Sequence, residues 1–258
     1  MDNLNPFDPA YREPEPVDDV VREVAPSKRA GVVIHDSFEQ GSERWLQARC
    51  GLLTASEMKL ILTPTLKVAN NDKERAHLYD LLAQRVTRYV EPMYVSDDML
   101  RGTVDEITAK AVYVENYGEV TNMGFITNDK WGFTIGYSPD GLIGNDGLIE
   151  CKSRRQYYQL QTILENKVPS EFIIQCQTGL LVSERRWLDF VSYCAGMPMV
   201  TLRVFPDPVC QEAIVNCAGQ FYSKLEVKLA EYNARLAAEG GRYIPTERKE
   251  PNTGEIEL

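Results

Sequence analysis

The chain has 258 residues, 43% apolar and 26% charged, which matches an ordinary soluble globular protein and allows one substantial core. No run of about 18 apolar residues could span a bilayer, and residues 1–30 are acidic and proline-bearing, unlike a secretory signal, so a cytoplasmic location is expected. The formal net charge of −10 argues against a nucleic-acid partner, but it is unevenly placed: residues 1–30 hold seven acids and four bases and residues 239–258 five and three, leaving −5 for the body.

Residues 1–30 lack sustained apolar periodicity, which predicts a disordered or loosely docked arm. Residues 31–238 are expected to form a single domain and residues 239–258 a polar tail. Two short helices are predicted in "SERWLQARCGLLTASEMKLIL", the first capped by Ser42 and the second by Thr54 or Ser56, with Gly51 at the break. A polar loop over 63–72 leads into a helix over 73–90. A longer helix follows from Ser96 to Tyr117, where Leu100, Val104, Ile107, Ala111 and Val114 recur as a stripe expected to face the core.

The period then drops to two. "TNMGFITN", "KWGFTIGYS" and "GLIECKS", punctuated by "NDK" and "GNDG", predict an antiparallel meander. Helices are predicted over 155–166 and 170–183, and strands in "RWLDFVSYCA" and "MVTLRVF". A last helix runs from Pro208 to Ala238, with Cys210, Ile214, Cys217, Phe221, Leu225, Leu229, Tyr232 and Leu236 on its apolar face. This order predicts an α/β fold with a central mixed β-sheet flanked by helices.

The six cysteines show no zinc-type spacing, and His35 and His77 are the only histidines, so any metal should be a hard, oxygen-seeking one. The chemistry is concentrated in "SPDGLIGNDGLIECKS", residues 138–153, which reads as a buried hairpin yet holds Asp140, Glu150 and Lys152. Unpaired charge in such a place is costly. Strand alternation puts Glu150 and Lys152 on one face, and the "GNDG" turn returns Asp140 to their neighbourhood. Two nearby carboxylates repel unless a proton or cation joins them, and Mg2+ meets that need. A lysine beside it can orient or deprotonate a water for attack on a phosphodiester. As an isolated Glu-x-Lys, the same residues are a surface pair worth about 0.2–1 kcal/mol; the Pro-Asp dipeptide upstream favours a site.

Pro139-Asp140 with Glu150-Cys151-Lys152 resembles the signature of the PD-(D/E)XK nuclease superfamily, whose core is restriction-endonuclease-like. In order, "WLQARCGLLTASE", "RGTVDE", "GYSPDGL", "GLIECK" and "IIQCQTGLLVS" resemble motifs of the YqaJ-like viral recombinase family of phage lambda-type exonucleases, over about residues 37–230. The resemblance implies a Mg2+-dependent 5′-to-3′ exonuclease, with Mn2+ as a substitute, acting on linear double-stranded DNA ends. It implies a homotrimer ring, 3′ overhangs passed to a single-strand annealing protein in phage recombination, and the cytoplasm of an infected or lysogenic bacterial host.

By the same resemblance Asp140, Glu150 and the main-chain oxygen of Cys151 bind the metal, Glu106 adds a further acid, Lys152 positions the water and Gln175 sits beside the centre. Arg49, Ser56 and Ser138 correspond to a 5′-phosphate pocket, and Met99 to an apolar wedge at the duplex end. Taken alone, the residues leave other roles open. Glu106 can pair with Lys110 at i,i+4, Arg49 can complement a helix C-terminus, Ser56 can cap, Gln175 can serve core hydrogen bonding, and Met99 can be core. Arg154 and Arg155, followed by Tyr157 and Tyr158, either track a phosphate backbone or form a solvated helix start. Three alternatives stand beside this reading. One is a RecB-like or Cas4-like nuclease, whose iron–sulfur cysteines are not matched here. The others are a restriction-type endonuclease and a non-catalytic DNA-end-binding module of the same fold.

Overall fold

The computed structural model describes residues 31–92, 96–238 and 240–248; the expected arm over 1–30, and residues 239 and 249–258 of the expected tail, lie outside them. The elements are β1 (Val32–His35), α1 (Glu43–Arg49), β2 (Leu53–Thr54), α2 (Met58–Ile61), α3 (Asp72–Thr87), α4 (Asp97–Tyr117), β3 (Phe125–Asn128) and β4 (Ile135–Tyr137). They continue with β5 (Gly141–Ile143), β6 (Gly147–Ser153), α5 (Gln156–Glu165), α6 (Ser170–Ser183), β7 (Trp187–Tyr193), β8 (Val200–Val204) and α7 (Pro208–Ala237).

Local chemistry sets several boundaries. Ser42 accepts from the Trp45 N–H, Asn71 from Lys73 and Glu74, Ser96 from Met99, and Asp207 from Val209 and Cys210, so each satisfies orphan donors at a helix start. Gly51, at φ 69°, makes the left-handed break after α1. The expected Thr54 or Ser56 cap is not formed: α2 is preceded by Glu57, which makes no capping bond. Thr54 is instead committed to a parallel pairing with Gly136 of β4.

The strands form two four-stranded mixed sheets, in the orders β1-β3-β4-β2 and β5-β6-β7-β8, rather than one central sheet. The predicted meander divides at Ser138-Pro139-Asp140, where the chain leaves β4 of the first sheet and enters β5 of the second. Pro139 has no N–H with which to continue a ladder, which suits this junction. Helix α6, buried from Ile174 to Val182, packs against β3, β4, β7, α2 and α7 at the centre of the main core. All six cysteines are free thiols and all but Cys50 are buried.

The stripe on α4 does not face the core. Leu100, Val104 and Ile107 are 57%, 63% and 63% exposed, and Ala111 and Val114 are exposed as well. The buried face is Ala109 and Tyr113, packed on Ile149, Cys151 and Val191 of the second sheet. Polar anchors turn the helix this way: the Tyr113 hydroxyl donates to Asp189 at 2.6 Å, and the Lys110 ammonium to the Asp140 carbonyl at 3.1 Å. The apolar face of α7 is likewise buried only as far as Leu225, and Tyr232 and Leu236 are exposed.

Candidate active site

The β5–β6 hairpin registers Gly141 against Ile149, which brings Asp140 level with the Glu150–Cys151 segment. The Asp140 carboxylate accepts from the Cys151 N–H at 2.5 Å. Glu150, 1% exposed, accepts from the Lys152 ammonium at 2.6 Å and from Gln175 on α6 at 2.5 Å through Oε1, and from the Tyr137 hydroxyl at 3.0 Å through Oε2. A fully buried carboxylate requires such partners.

The charges are strongly coupled. Burial, followed by the Glu150 carboxylate, pushes the Asp140 carboxyl well above the usual range, with Lys152 opposing and Glu106 adding to the shift. Burial works against the Lys152 charge, but Glu150 and Asp140 outweigh it and hold the ammonium above its ordinary value. Burial, then Glu150, also raises the Tyr137 phenol, which therefore remains a hydrogen-bond donor.

This donor set fits a hard divalent cation: two mutually repelling carboxylates and a backbone carbonyl supply oxygen. The Cys151 thiol is pushed up by burial and so kept from thiolate chemistry. Among the described residues no three His, Cys, Asp or Glu side chains gather closely enough to form a ligand cluster by themselves. Glu106 stays paired with Lys110 at 3.0 Å, the i,i+4 arrangement its spacing allows. Glu106 and Asp140 nonetheless line one cleft of about 1060 Å3, together with Cys151, Lys152, Met99 and Trp45.

A second group adjoins this cleft. Arg49, at the end of α1, donates to the hydroxyls of Ser138 at 3.1 Å and Thr54 at 3.3 Å, and its guanidinium lies 4.3 Å from the Trp45 ring centroid. The Trp45 indole N–H also donates to Ser138, at 2.9 Å. Ser56 is exposed and lies 3.4 Å from the Thr54 hydroxyl, so Arg49, Ser56 and Ser138 are gathered around one spot. Burial pulls the guanidinium below its ordinary value, with Glu57 opposing. Hydrogen-bonded to neutral hydroxyls, this cation keeps unused donors suited to an anion.

The other expected residues are more dispersed. Met99 is 42% exposed at the cleft rather than core. Arg154 pairs with Glu171 at 3.1 Å and lies 4.7 Å and 5.1 Å from the Tyr158 and Phe172 ring centroids, while its Nε has no hydrogen-bond partner among the described residues. Arg155 occupies the N-cap of α5 and pairs with Asp98 at 2.9 Å.

The model of the YqaJ-like viral recombinase domain matches residues 44–186, more than half of the chain and a span that includes every residue of both groups. The chain belongs to the YqaJ-like viral recombinase family. It is similar to the crystal structure of an alkaline exonuclease, LHK-Exo, from Laribacter hongkongensis, with 30% identity and a TM-score of 0.68 over 76% of this chain and 98% of that one. The same exonuclease in complex with dAMP gives 31% identity and a TM-score of 0.69, with the same coverage of both chains. A phage-related exonuclease from Haemophilus somnus 129PT shares the fold, with 12% identity and a TM-score of 0.50 over 69% of this chain and 96% of that one. No curated protein sequence matches the chain. As a YqaJ-like protein of the PD-(D/E)XK type, the chain is an enzyme of the exonuclease class.

The structure adds Trp45, Thr54 and Tyr137 to the site residues expected from sequence. Trp45 and Tyr137 stand inside the family-like segments "WLQARCG" and "GYSPDG". A tyrosine in an otherwise apolar strand calls for a hydroxyl partner, which is the signal that could have singled it out.

Proposed function

We propose that this YqaJ-like protein is a Mg2+-dependent exodeoxyribonuclease that degrades one strand of linear duplex DNA from the 5′ end. The observation that carries this reading is the adjacency of Arg49, with its spare donors, to the Asp140–Glu150–Lys152 cluster. An anion held at Arg49, Thr54, Ser56 and Ser138 sets a terminal phosphate at a fixed offset from the hydrolytic residues, which is what an end-dependent nuclease requires.

In this reading Asp140, Glu150 and the Cys151 carbonyl hold the metal, with Glu106 close by. A bound divalent cation would neutralise the carboxylates and polarise the scissile phosphate. Lys152 orients the attacking water and supplies positive charge where negative charge develops. Tyr137 and Gln175 hold Glu150 in place. Met99 stands at the cleft where an apolar group can part the last base pair, and Arg154 and Arg155 follow the backbone with Tyr157 and Tyr158 as stacking surfaces.

The exposed stripe on α4 supports assembly into a homo-oligomer, read as the family's trimeric ring, because contiguous apolar surface of this kind is uncommon on monomers. A ring with basic groups inside and the acid excess outside reconciles the net charge with DNA binding. The 3′ overhangs pass to a single-strand annealing protein during phage recombination in the bacterial cytoplasm. No helix among the described residues is long and apolar enough to cross a membrane.

Linear 5′-phosphorylated duplex and closed circular duplex, each incubated with Mg2+ or with chelator, test the reading. Progressive loss of one strand from the linear substrate only, and only with Mg2+, is expected. Cutting of the circle points to an endonuclease, and DNA retention without turnover to a binding module.

A further inference from the structure

The pocket proposed for the terminal phosphate is bordered by an acid. Glu57 follows β2, and its N–H donates to the Thr54 carbonyl at 3.0 Å, closing a turn that returns its half-buried side chain to Thr54. The Thr54 hydroxyl donates to the Glu57 carboxylate at 2.5 Å. Negative charge beside a site for a phosphate lowers the affinity of that site.

The hydroxyl protons around the pocket are committed unequally. Ser138 Oγ accepts from Trp45 at 2.9 Å and from Arg49 at 3.1 Å, so its lone pairs are used and its proton is left for an incoming anion. Thr54 is the reverse: its one proton goes to Glu57 and its oxygen accepts from Arg49 at 3.3 Å. Thr54 thus borders the anion with lone pairs rather than with a donor. Arg49 is shared as well, because Glu57 favours its charge against the effect of burial. His77, which also feels Glu57, supplies no opposing cation, since burial holds its imidazole below the ordinary value. Glu57 therefore weakens the pocket twice, by its charge and by withholding a donor.

We infer that Glu57 sets the hold of this pocket on phosphate low enough for the product nucleotide to leave at each turnover. The inference rests on the 5′-end exonuclease reading. In that reaction water supplies its oxygen to phosphorus and a proton to the leaving 3′ oxygen as the P–O3′ bond breaks. The shortened strand gains a 5′-phosphate, and the released mononucleotide still has its own 5′-phosphate in the pocket. The strand cannot advance until that group leaves, so a tighter pocket slows the cycle. Glu57 is a positioning residue, acting through Thr54 and Arg49.

Calorimetric titration of dAMP, with deoxyadenosine as control, into the full-length parent, Glu57→Gln, Glu57→Ala and Glu57→Asp proteins tests this, in chelator so that metal adds nothing. Both neutral variants should bind dAMP on the order of tenfold more tightly than the parent, Glu57→Asp within about threefold of it, and deoxyadenosine binding should not change. In Mg2+, the ratio of steady-state to single-turnover rate on 5′-phosphorylated duplex should fall in the neutral variants, as product release slows. A purely structural role predicts weaker dAMP binding in all three variants. That result, an unchanged affinity in the neutral variants, or an unchanged rate ratio overturns the inference, and either neutral variant suffices if the other does not fold. A parent that binds dAMP no better than deoxyadenosine overturns the pocket itself; a parent that discriminates, with neutral variants that do not tighten, overturns only the role of Glu57.

Discussion

The Tyr137 hydroxyl donates to Glu150 Oε2 at 3.0 Å, joining β4 of the first sheet to β6 of the second across the buried interior. The ring passes over α6 at Gly179, where an added Cβ would lie 2.7 Å from it. This bond orients a candidate metal ligand from outside the hairpin that contains it. Tyr137→Phe should raise the Mg2+ concentration for half-maximal activity on the order of 10- to 100-fold, the usual effect of removing a partner of a metal ligand. A titration curve superimposable on the parent's would show that Gln175 and Lys152 suffice.

Lys152→Ala should lower turnover by on the order of 10²- to 10⁴-fold while leaving DNA binding in Ca2+ nearly intact, because the water-orienting charge goes and the oxygens stay. Gel-shift and single-turnover measurements on one preparation separate the two. Near-parental hydrolysis would remove Lys152 from the mechanism.

Arg49 donates to hydroxyls in the folded chain, so Arg49→Ala strands no buried carboxylate and should cost little stability. Its effect should fall on the preference for 5′-phosphorylated over 5′-hydroxyl ends, reduced roughly 10- to 100-fold for the loss of one or two charge-assisted hydrogen bonds. Competition between the two substrates reads this directly, and a parent enzyme without the preference has no such pocket.

Val104 and Ile107 are each 63% exposed, so Val104→Glu/Ile107→Glu should leave the thermal midpoint of the isolated chain within a few degrees. The same pair should reduce the mass measured by light scattering to that of a monomer. An unchanged oligomer would place the interface elsewhere.

His77 is 5% exposed against Phe221, with Glu57, Asp80 and Glu74 as nearby acids, and its Nε2 has no hydrogen-bond partner among the described residues. Burial holds its imidazole below the ordinary value. The unfolded chain therefore takes up a proton as pH falls through about 6.5 while the folded chain does not, and stability declines in that window by at most about 1.4 kcal/mol per pH unit. Urea midpoints at about pH 7.5 and 5.5 should differ less in His77→Gln than in the parent; an equal difference would assign the pH dependence to other groups.

Sequence alone determined the helix starts at Ser42, Ser96 and Pro208 and the register that sets Asp140 against the Glu150 segment, because a capping hydroxyl, a proline in the first helical turn and a short turn act over a few residues. It also carried the order of motifs that marks the family. It could not show that the meander divides at Pro139 into two sheets, that Tyr137 reaches Glu150 from the other sheet, or that the α4 stripe faces outward. Periodicity records which side chains share a face, and it is silent on which neighbour that face meets. On α4 the decision fell to Tyr113 and Lys110, whose partners Asp189 and Asp140 lie 76 and 30 residues away, a distance in sequence that only folding closes.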